Sequence, residues 1–368
     1  MGATVIKLEP PGGSVTRAVG PFAKGEAGPE TSLNFWYYNS NKKSVVADVA
    51  TPQGKAILRQ LLGEADIFIS TLQPRALKAA DLDLDGLASE FPRLIVLAVT
   101  AFGLTGPWAD YKSSDLVALA AGGPLNSCGY DDHSIPPIRP GGNQAYHSAA
   151  SFALIGALLA LVERQKTGQG QVLDVSMHES CAVNVELANP YWFYPRVHVH
   201  RQTCRHAQPS PTQSALFRCA DGRYVYYTLI VAEQKAWLSL VAWMASKGMA
   251  AQLVEPAFLD VKYRQDNFDQ IQELVECFFL VHEAGQMYEE GQAVGLPIGV
   301  LNAPEDLYAD EHLKTREFFV DVEHDRIGAV PYPGAAYRFS SFGEVQRLRA
   351  PHLGEHTQDI LVPAEGTR

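Results

Sequence analysis

The stretch from Ile138 to Met177 constrains the fold more than any other: IRPGGNQAYHSAASFALIGALLALVERQKTGQGQVLDVSM. A glycine turn leads into a helix from about Ala145 to Arg164. Thr167-Gly168-Gln169-Gly170 stops that helix, and Val172-Leu173-Asp174-Val175 reads as a core strand. Phe152, Leu154, Ile155, Leu158, Leu159 and Leu161 make the helix apolar on nearly every side, which places it centrally rather than peripherally. Ser176-Met177-His178-Glu179 has capping-box spacing for a further helix. An α-β-α unit of this kind sets the N-terminus of its first helix at the end of a sheet, where small acyl or phosphate groups bind.

Upstream, strands alternate with helical segments. Thr4 to Leu8, Ser44 to Val49, Asp66 to Ile69 and Leu94 to Val99 read as strands. Thr51-Pro52 starts a helix, with Thr as N-cap and Pro at the first helical position, and its apolar face is Ile57, Leu58, Leu61 and Leu62. This alternation predicts a parallel α/β sheet. Residues 101–107 form the loop at the carboxyl end of the fourth strand, where open α/β sheets bind ligands. Ser114 to Gly123 reads as a helix ending in a glycine turn.

The character changes after Asn189. Pro190 to Gln213 is rich in Pro, His, Arg and aromatics without periodicity, and reads as a linker or active-site cover. Ser214 to Arg218 and Tyr224 to Leu229 predict a hairpin around Ala220-Asp221-Gly222-Arg223. The expected organisation is therefore a first domain at 1–189 completed by 331–368, a linker at 190–213, and a smaller α+β domain at 214–330.

A net charge of −11 argues against nucleic acid and against an anionic membrane as the main partner. No apolar run reads as a membrane span, and no signal peptide follows Met1. Cys128, Cys181, Cys204, Cys219 and Cys277 are scattered without a CxxC pair, which predicts reduced thiols, a cytoplasmic setting and no zinc site.

Nine segments, in order along the chain, resemble the class III CoA-transferase family of formyl-CoA transferases, carnitine and bile-acid CoA-transferases and α-methylacyl-CoA racemases. They are GATVIKLEPPGG (2–13), NSNKKSVVADVATPQGK (39–55), ADIFISTLQP (65–74), PRLIVLAVTAFGLTGPWAD (92–110), SDLVALAAGG (114–123), GALLALVERQKTGQGQVLDVSM (156–177), CADGRYV (219–225), GLPIGVLNAPEDLYADEHLKTREFFVDVEH (295–324) and APHLGEHT (350–357). The resemblance implies a Rossmann-like CoA-binding domain, a smaller α+β domain, and two chains interlinked like rings in a homodimer. It implies an acyl-CoA and a small carboxylic acid as substrates, with CoA exchanged between them.

The family has a strand and a helix before GATVIKLE that carry part of its CoA site; Met1 falls at the end of that helix, so the expectation is a late-assigned start or a truncated form. The family nucleophile is an aspartate at the start of the long helix, which attacks the thioester and forms an acyl-enzyme anhydride. That position falls at Gln144 to Tyr146, where no aspartate stands. Asn143 and Gln144 remain as hydrogen-bond donors to a thioester carbonyl, and His147 lies one helical turn beyond Asn143. Asp115 matches an acidic position near the transferase active site and also suits helix capping. Ser114 stands where racemases of the family carry a histidine, so two-base proton exchange is not supported. Lys112 matches a CoA-contacting lysine, Thr71 and Leu72 occupy the adenine-side positions, and Arg75 and Lys78 are nearby cations for the phosphates. Asp174, mid-strand, reads as a structural carboxylate rather than a substitute nucleophile. Arg201, Arg205 and His206 form a basic cluster in the cover segment, suited to a carboxylate or to CoA phosphates and equally to an exposed turn. Two alternatives stand beside the transferase reading: isomerisation or other non-covalent acyl-CoA chemistry, and a non-catalytic CoA-binding partner subunit.

Overall fold

The computed structural model describes residues 2–361 apart from 186, 230, 342, 344 and 345. The first part of the chain runs β1 (Val5–Glu9), α1 (Leu33–Tyr38), β2 (Lys42–Val46), α2 (Pro52–Glu64), β3 (Ile67–Ser70), α3 (Pro74–Ala79), α4 (Leu84–Glu90), β4 (Ile95–Thr100), α5 (Asp115–Ala121), α6 (Gln144–Thr167), β5 (Val172–Ser176) and α7 (Met177–Val183). The second part runs α8 (Ala188–Phe193), β6 (His200–Gln202), β7 (Arg205–Gln208), β8 (Leu216–Arg218), β9 (Tyr224–Tyr227), α9 (Gln234–Ser246), α10 (Val261–Asp266), α11 (Phe268–Leu280), α12 (Ala284–Ala293), β10 (Ile298–Val300), α13 (Pro304–Ala309), α14 (Glu311–Thr315), β11 (Phe319–His324), β12 (Gly328–Pro333) and α15 (Thr357–Leu361). The chain divides into two compact units. The first comprises residues 1–112, 150–176 and 304–368, and the second comprises 113–149 and 177–303.

In the first unit, β3, β4 and β5 form a parallel sheet with β4 in the middle, Ile67 opposite Ile95 and Val96 opposite Val172. The helix cap predicted at Thr51 is present: its Oγ1 accepts from Gly54 N at 3.1 Å, and Pro52 opens α2. Leu58 and Leu62 of α2 then bury against Leu94, Val96 and Ala98. The parallel arrangement is as expected, but the ladder is broken: β1 and β2 pair in a separate two-stranded parallel sheet. One face of that pair carries a polar network in which buried Glu9 binds Arg17 and Ser44, while Leu8 packs on the apolar core beside β4.

Helix α6 forms at nearly the predicted limits, yet its packing reverses the expectation of a helix buried all round. Its close contacts with the sheet come through Ala153 and Ala157, which meet Leu97, Leu173 and Val175. Small side chains let helix and sheet approach, so the large residues point away: Leu154, Ile155, Leu158, Leu159 and Val162 are all about half exposed. By length and composition α6 also qualifies as a membrane span, contrary to the sequence reading.

The second unit has its core in helices α9, α11 and α12, with the antiparallel sheet β10-β9-β8. Ile271, Val275, Phe278 and Phe279 recur at helical spacing along α11 and are fully buried. The predicted hairpin appears as β8 and β9, with Phe217 opposite Val225. The segment read as a linker or active-site cover holds most of α8 and a second hairpin, β6 with β7. Cys204 takes a positive φ of 53° at its turn, so no glycine marks it.

Candidate functional site

Asp115 is the centre of the polar cluster at the start of α6. Ser114 caps α5 by accepting Val117 N at 3.3 Å, which fixes the backbone from which Asp115 points inward. The Asp115 side chain is buried, at 4% exposure. Its Oδ1 accepts from Ala145 N at 2.9 Å, so it caps the first turn of α6 as well. Its Oδ2 accepts from Nε of Arg139 at 2.8 Å, and Nη2 of the same guanidinium lies in ion-pair contact at 2.8 Å. A buried carboxylate is stabilised by such charge-assisted donors, and this one has two, Arg139 Nε and Ala145 N.

Arg139 carries the cluster onward by donating from Nη2 to Asn143 Oδ1 at 2.6 Å. Asn143 itself has φ of 55°, following Gly142 at 80°, a left-handed turn that asparagine and glycine adopt with little strain. Asn143 O accepts from Tyr146 N and His147 N at 3.1 and 3.2 Å. Gln144 donates from Nε2 to Gly141 O at 2.8 Å. The amides of Ala145, Tyr146 and His147 are thus already bonded, and both Asn143 Oδ1 and the Gln144 amide nitrogen are engaged in the turn. The first turn of α6 holds no acidic side chain. The His147 side chain is exposed. Cys181 lies close by; burial and the charge of Asp115 push its thiol above the usual range, which keeps it protonated and a poor nucleophile.

The other candidate residues lie in the first unit, where β3 ends. Thr71, Arg75 and Lys78 are exposed, as is Lys112, whereas Leu72 packs partly into the apolar core. Arg75 N donates to Asp110 Oδ1 at 2.7 Å and Gln73 Nε2 donates to Tyr111 O at 2.9 Å, tying α3 to the loop that ends at Lys112. Asp174 reaches the same loop: its Oδ2 accepts Leu104 N at 2.8 Å beside Gly103, whose φ of 86° requires glycine. This gives Asp174 the structural role read from its position.

The basic cluster of the cover segment is tied down within the second unit. Arg205 pairs with Asp131 and donates to Thr212 O, and Arg201 donates to Ile135 O. Among the described residues no group of three or more His, Cys, Asp or Glu side chains is placed to hold a metal. Sequence reasoning missed Arg139. Its signal was a lone arginine in the Pro- and Gly-rich turn ahead of the long helix.

Comparison with known proteins fits this arrangement. The chain is 32% identical over 367 residues to the succinyl-CoA:(R)-benzylsuccinate CoA-transferase subunit BbsE of Thauera aromatica, a match covering 98% of this chain and 88% of that protein. It is 29% identical over 371 residues to the succinyl-CoA–L-malate CoA-transferase beta subunit of Chloroflexus aurantiacus, covering 98% and 87%. A crystal structure of a CaiB/BaiF family protein from Brucella suis superimposes with a TM-score of 0.82 at 25% identity, covering 98% of this chain and 91% of that one. Residues 1–357 match the model of CoA-transferase family III, and with relatives aligned along nearly its whole length the chain belongs to that family.

Proposed function

We propose that this chain takes part in moving CoA from an acyl-CoA, succinyl-CoA foremost, to a free carboxylic acid, beside a second chain that supplies the attacking carboxylate. The observation that carries this reading is the cluster at the start of α6. A covalent route needs a carboxylate oxygen to attack the thioester carbonyl, form a mixed anhydride and expel the CoA thiolate. The first turn of α6 offers no such oxygen, and each oxygen of buried Asp115 accepts a hydrogen bond, from Arg139 and from Ala145 N. Two of the relatives named above are themselves subunits, which supports an assembly. In this reading coenzyme A is a substrate. Arg75, Lys78 and Lys112 meet its phosphates, with Thr71 and Leu72 beside the adenine.

The same proposal takes the first unit's parallel sheet as the base of a Rossmann-like CoA domain, with 1–189 and 331–368 forming that domain and 214–330 the smaller one. It also takes the exposed leucines of α6 as the surface on which chains associate, and a cytoplasmic setting from the scattered free cysteines. A second reading keeps all chemistry in this chain by a non-covalent route. It is favoured by the Nδ2 of Asn143, a donor left over after Oδ1 binds Arg139, and suited to polarising a thioester carbonyl.

A mass-spectrometric exchange assay separates the two. The purified chain is mixed with succinyl-CoA and a panel of carboxylic acids, alone and with a co-purified family chain that carries an aspartate at the helix start. Exchange only in the mixture is the expected result. Exchange by the chain alone, abolished by Asn143→Ala, establishes the second reading instead.

A further inference from the structure

Arg139 keeps one nitrogen unspent in the cluster at the start of α6. Its Nε donates to Asp115 Oδ2 at 2.8 Å, and its Nη2 donates to Asn143 Oδ1 at 2.6 Å. Among the described residues no hydrogen bond or ion pair falls on Nη1, which carries two N–H donors. The arginine side chain is 45% exposed, while the Asp115 side chain it pairs with is only 5% exposed. The guanidinium is therefore anchored in the protein through Nε and Nη2, and Nη1 is left for a further acceptor.

Two acceptors fix this guanidinium before any ligand arrives. Asp115 is itself held by Ala145 N, and the backbone of Asn143 is tied into the first turn of α6 through Tyr146 N and His147 N. A donor held in this way loses little rotamer freedom on binding. Its charge balance limits what it takes. Asp115 and Arg139 together carry no net charge, and among the described residues no second cation is bonded to either. The surplus positive charge that favours a phosphate dianion is therefore missing. A carboxylate carries a single negative charge, and its oxygens accept from guanidinium N–H groups. A carboxylate that becomes a thioester loses its charge in the reaction, so only a second carboxylate on the same molecule stays bound throughout an exchange.

We propose that Arg139 Nη1 binds the second carboxylate of a dicarboxylic acid, free or as its mono-CoA thioester, and so sets a preference for acyl groups that end in a carboxylate. The role of that acid as a substrate rests on the CoA-exchange reading; the carboxylate contact does not.

Binding is measured calorimetrically on the full-length protein with succinyl-CoA and with butyryl-CoA, which has a methyl group in place of the terminal carboxylate. Succinyl-CoA is expected to bind about tenfold more tightly. In Arg139→Lys, which keeps a charge beside Asp115 but loses the forked donors, that ratio falls towards one. It does the same in Asp115→Asn/Arg139→Gln, which leaves no unpaired buried charge, and urea unfolding confirms that each variant is folded. Equal affinity for the two thioesters in the unaltered protein overturns the proposal, as does a preference that survives in a folded variant. Failure of both thioesters to bind counts against the exchange reading instead. The contact is then read on the unaltered protein by phenylglyoxal labelling of Arg139, mapped by mass spectrometry. Slowing by succinate and not by inorganic phosphate at equal ionic strength upholds the carboxylate site. No slowing by succinate, or equal slowing by phosphate, overturns it.

Discussion

The start of α6 and the loop after β4 both gather chemically useful side chains, and they use polarity in opposite ways. At the helix start the charged groups are committed to one another. Asp115 binds Arg139 and Ala145 N, Arg139 binds Asn143, and Gln144 binds Gly141 O. In the loop, hydrogen bonds hold the backbone while the side chains of Trp108 and Tyr111 are exposed to solvent. A side chain fully bonded within the protein is a poor reagent, and an exposed side chain on a fixed backbone is better placed to meet a ligand. Proximity of reactive residue types is therefore not enough to locate chemistry; what matters is which groups still have a hydrogen bond or a face to offer.

The largest expected effect that tests this contrast comes from Asp115→Ala. It removes the ion-pair partner of half-exposed Arg139 and leaves Ala145 N without its acceptor, at a cost of about 2 kcal/mol in urea unfolding. A loss below about 1 kcal/mol shows that the cluster does not hold the helix start. Next, a double-mutant cycle between Asp115→Ala and Arg139→Ala should give a coupling energy of about 1.5 kcal/mol, whereas additive losses mean the two act separately. Asp174→Ala removes one exposed pin and should cost about 1 kcal/mol. Its signature is faster hydrogen exchange confined to residues 101–112, and unchanged exchange there refutes the pinned loop.

The smallest effect concerns acid. Lys247 and Trp243 hold Glu290 of the second unit down to about 2, and Arg349, with His352 N, does the same for Glu355 of the first, both against an ordinary value of 4.5. A depressed carboxylate stabilises the fold above its unfolded value and loses that contribution as pH falls through its folded one. Both contributions are then complete above about pH 5 and fade between about pH 4.5 and 2. Thermal unfolding from pH 8 to 2 checks this: for Glu290→Gln and Glu355→Gln, the difference from the unaltered protein should be constant above pH 5 and shrink below it.

Local chemistry was legible in the sequence and distant pairing was not. Thr51-Pro52 announced α2 because a cap and a fixed φ act within one turn. The α6 boundaries and the β8–β9 hairpin were readable for the same reason. Arg139 and Asp115 are 24 residues apart, and nothing in either neighbourhood declares their contact. Hydropathy marked α6 as apolar but did not say which side meets the sheet, since alanine and leucine count alike in such a pattern. The β6–β7 hairpin escaped notice because its strands are three and four residues long and a cysteine, not a glycine, takes the left-handed turn. The break between β1–β2 and β3–β4–β5 was hidden because strand patterns show faces and not neighbours.

The burial of Ala145 limits how an attacking carboxylate might be engineered into this chain. That residue is wholly enclosed and its N–H already points at Asp115. An acid grafted at 145 would confront Asp115 without water between them, and one of the two would have to keep its proton at neutral pH. Gln144 and Tyr146 are exposed, so an acid at either would stay hydrated and ionised. Two positions thus admit a carboxylate by a single substitution, while the one between them needs a simultaneous Asp115→Asn exchange, and the pH profile of each graft would tell the routes apart.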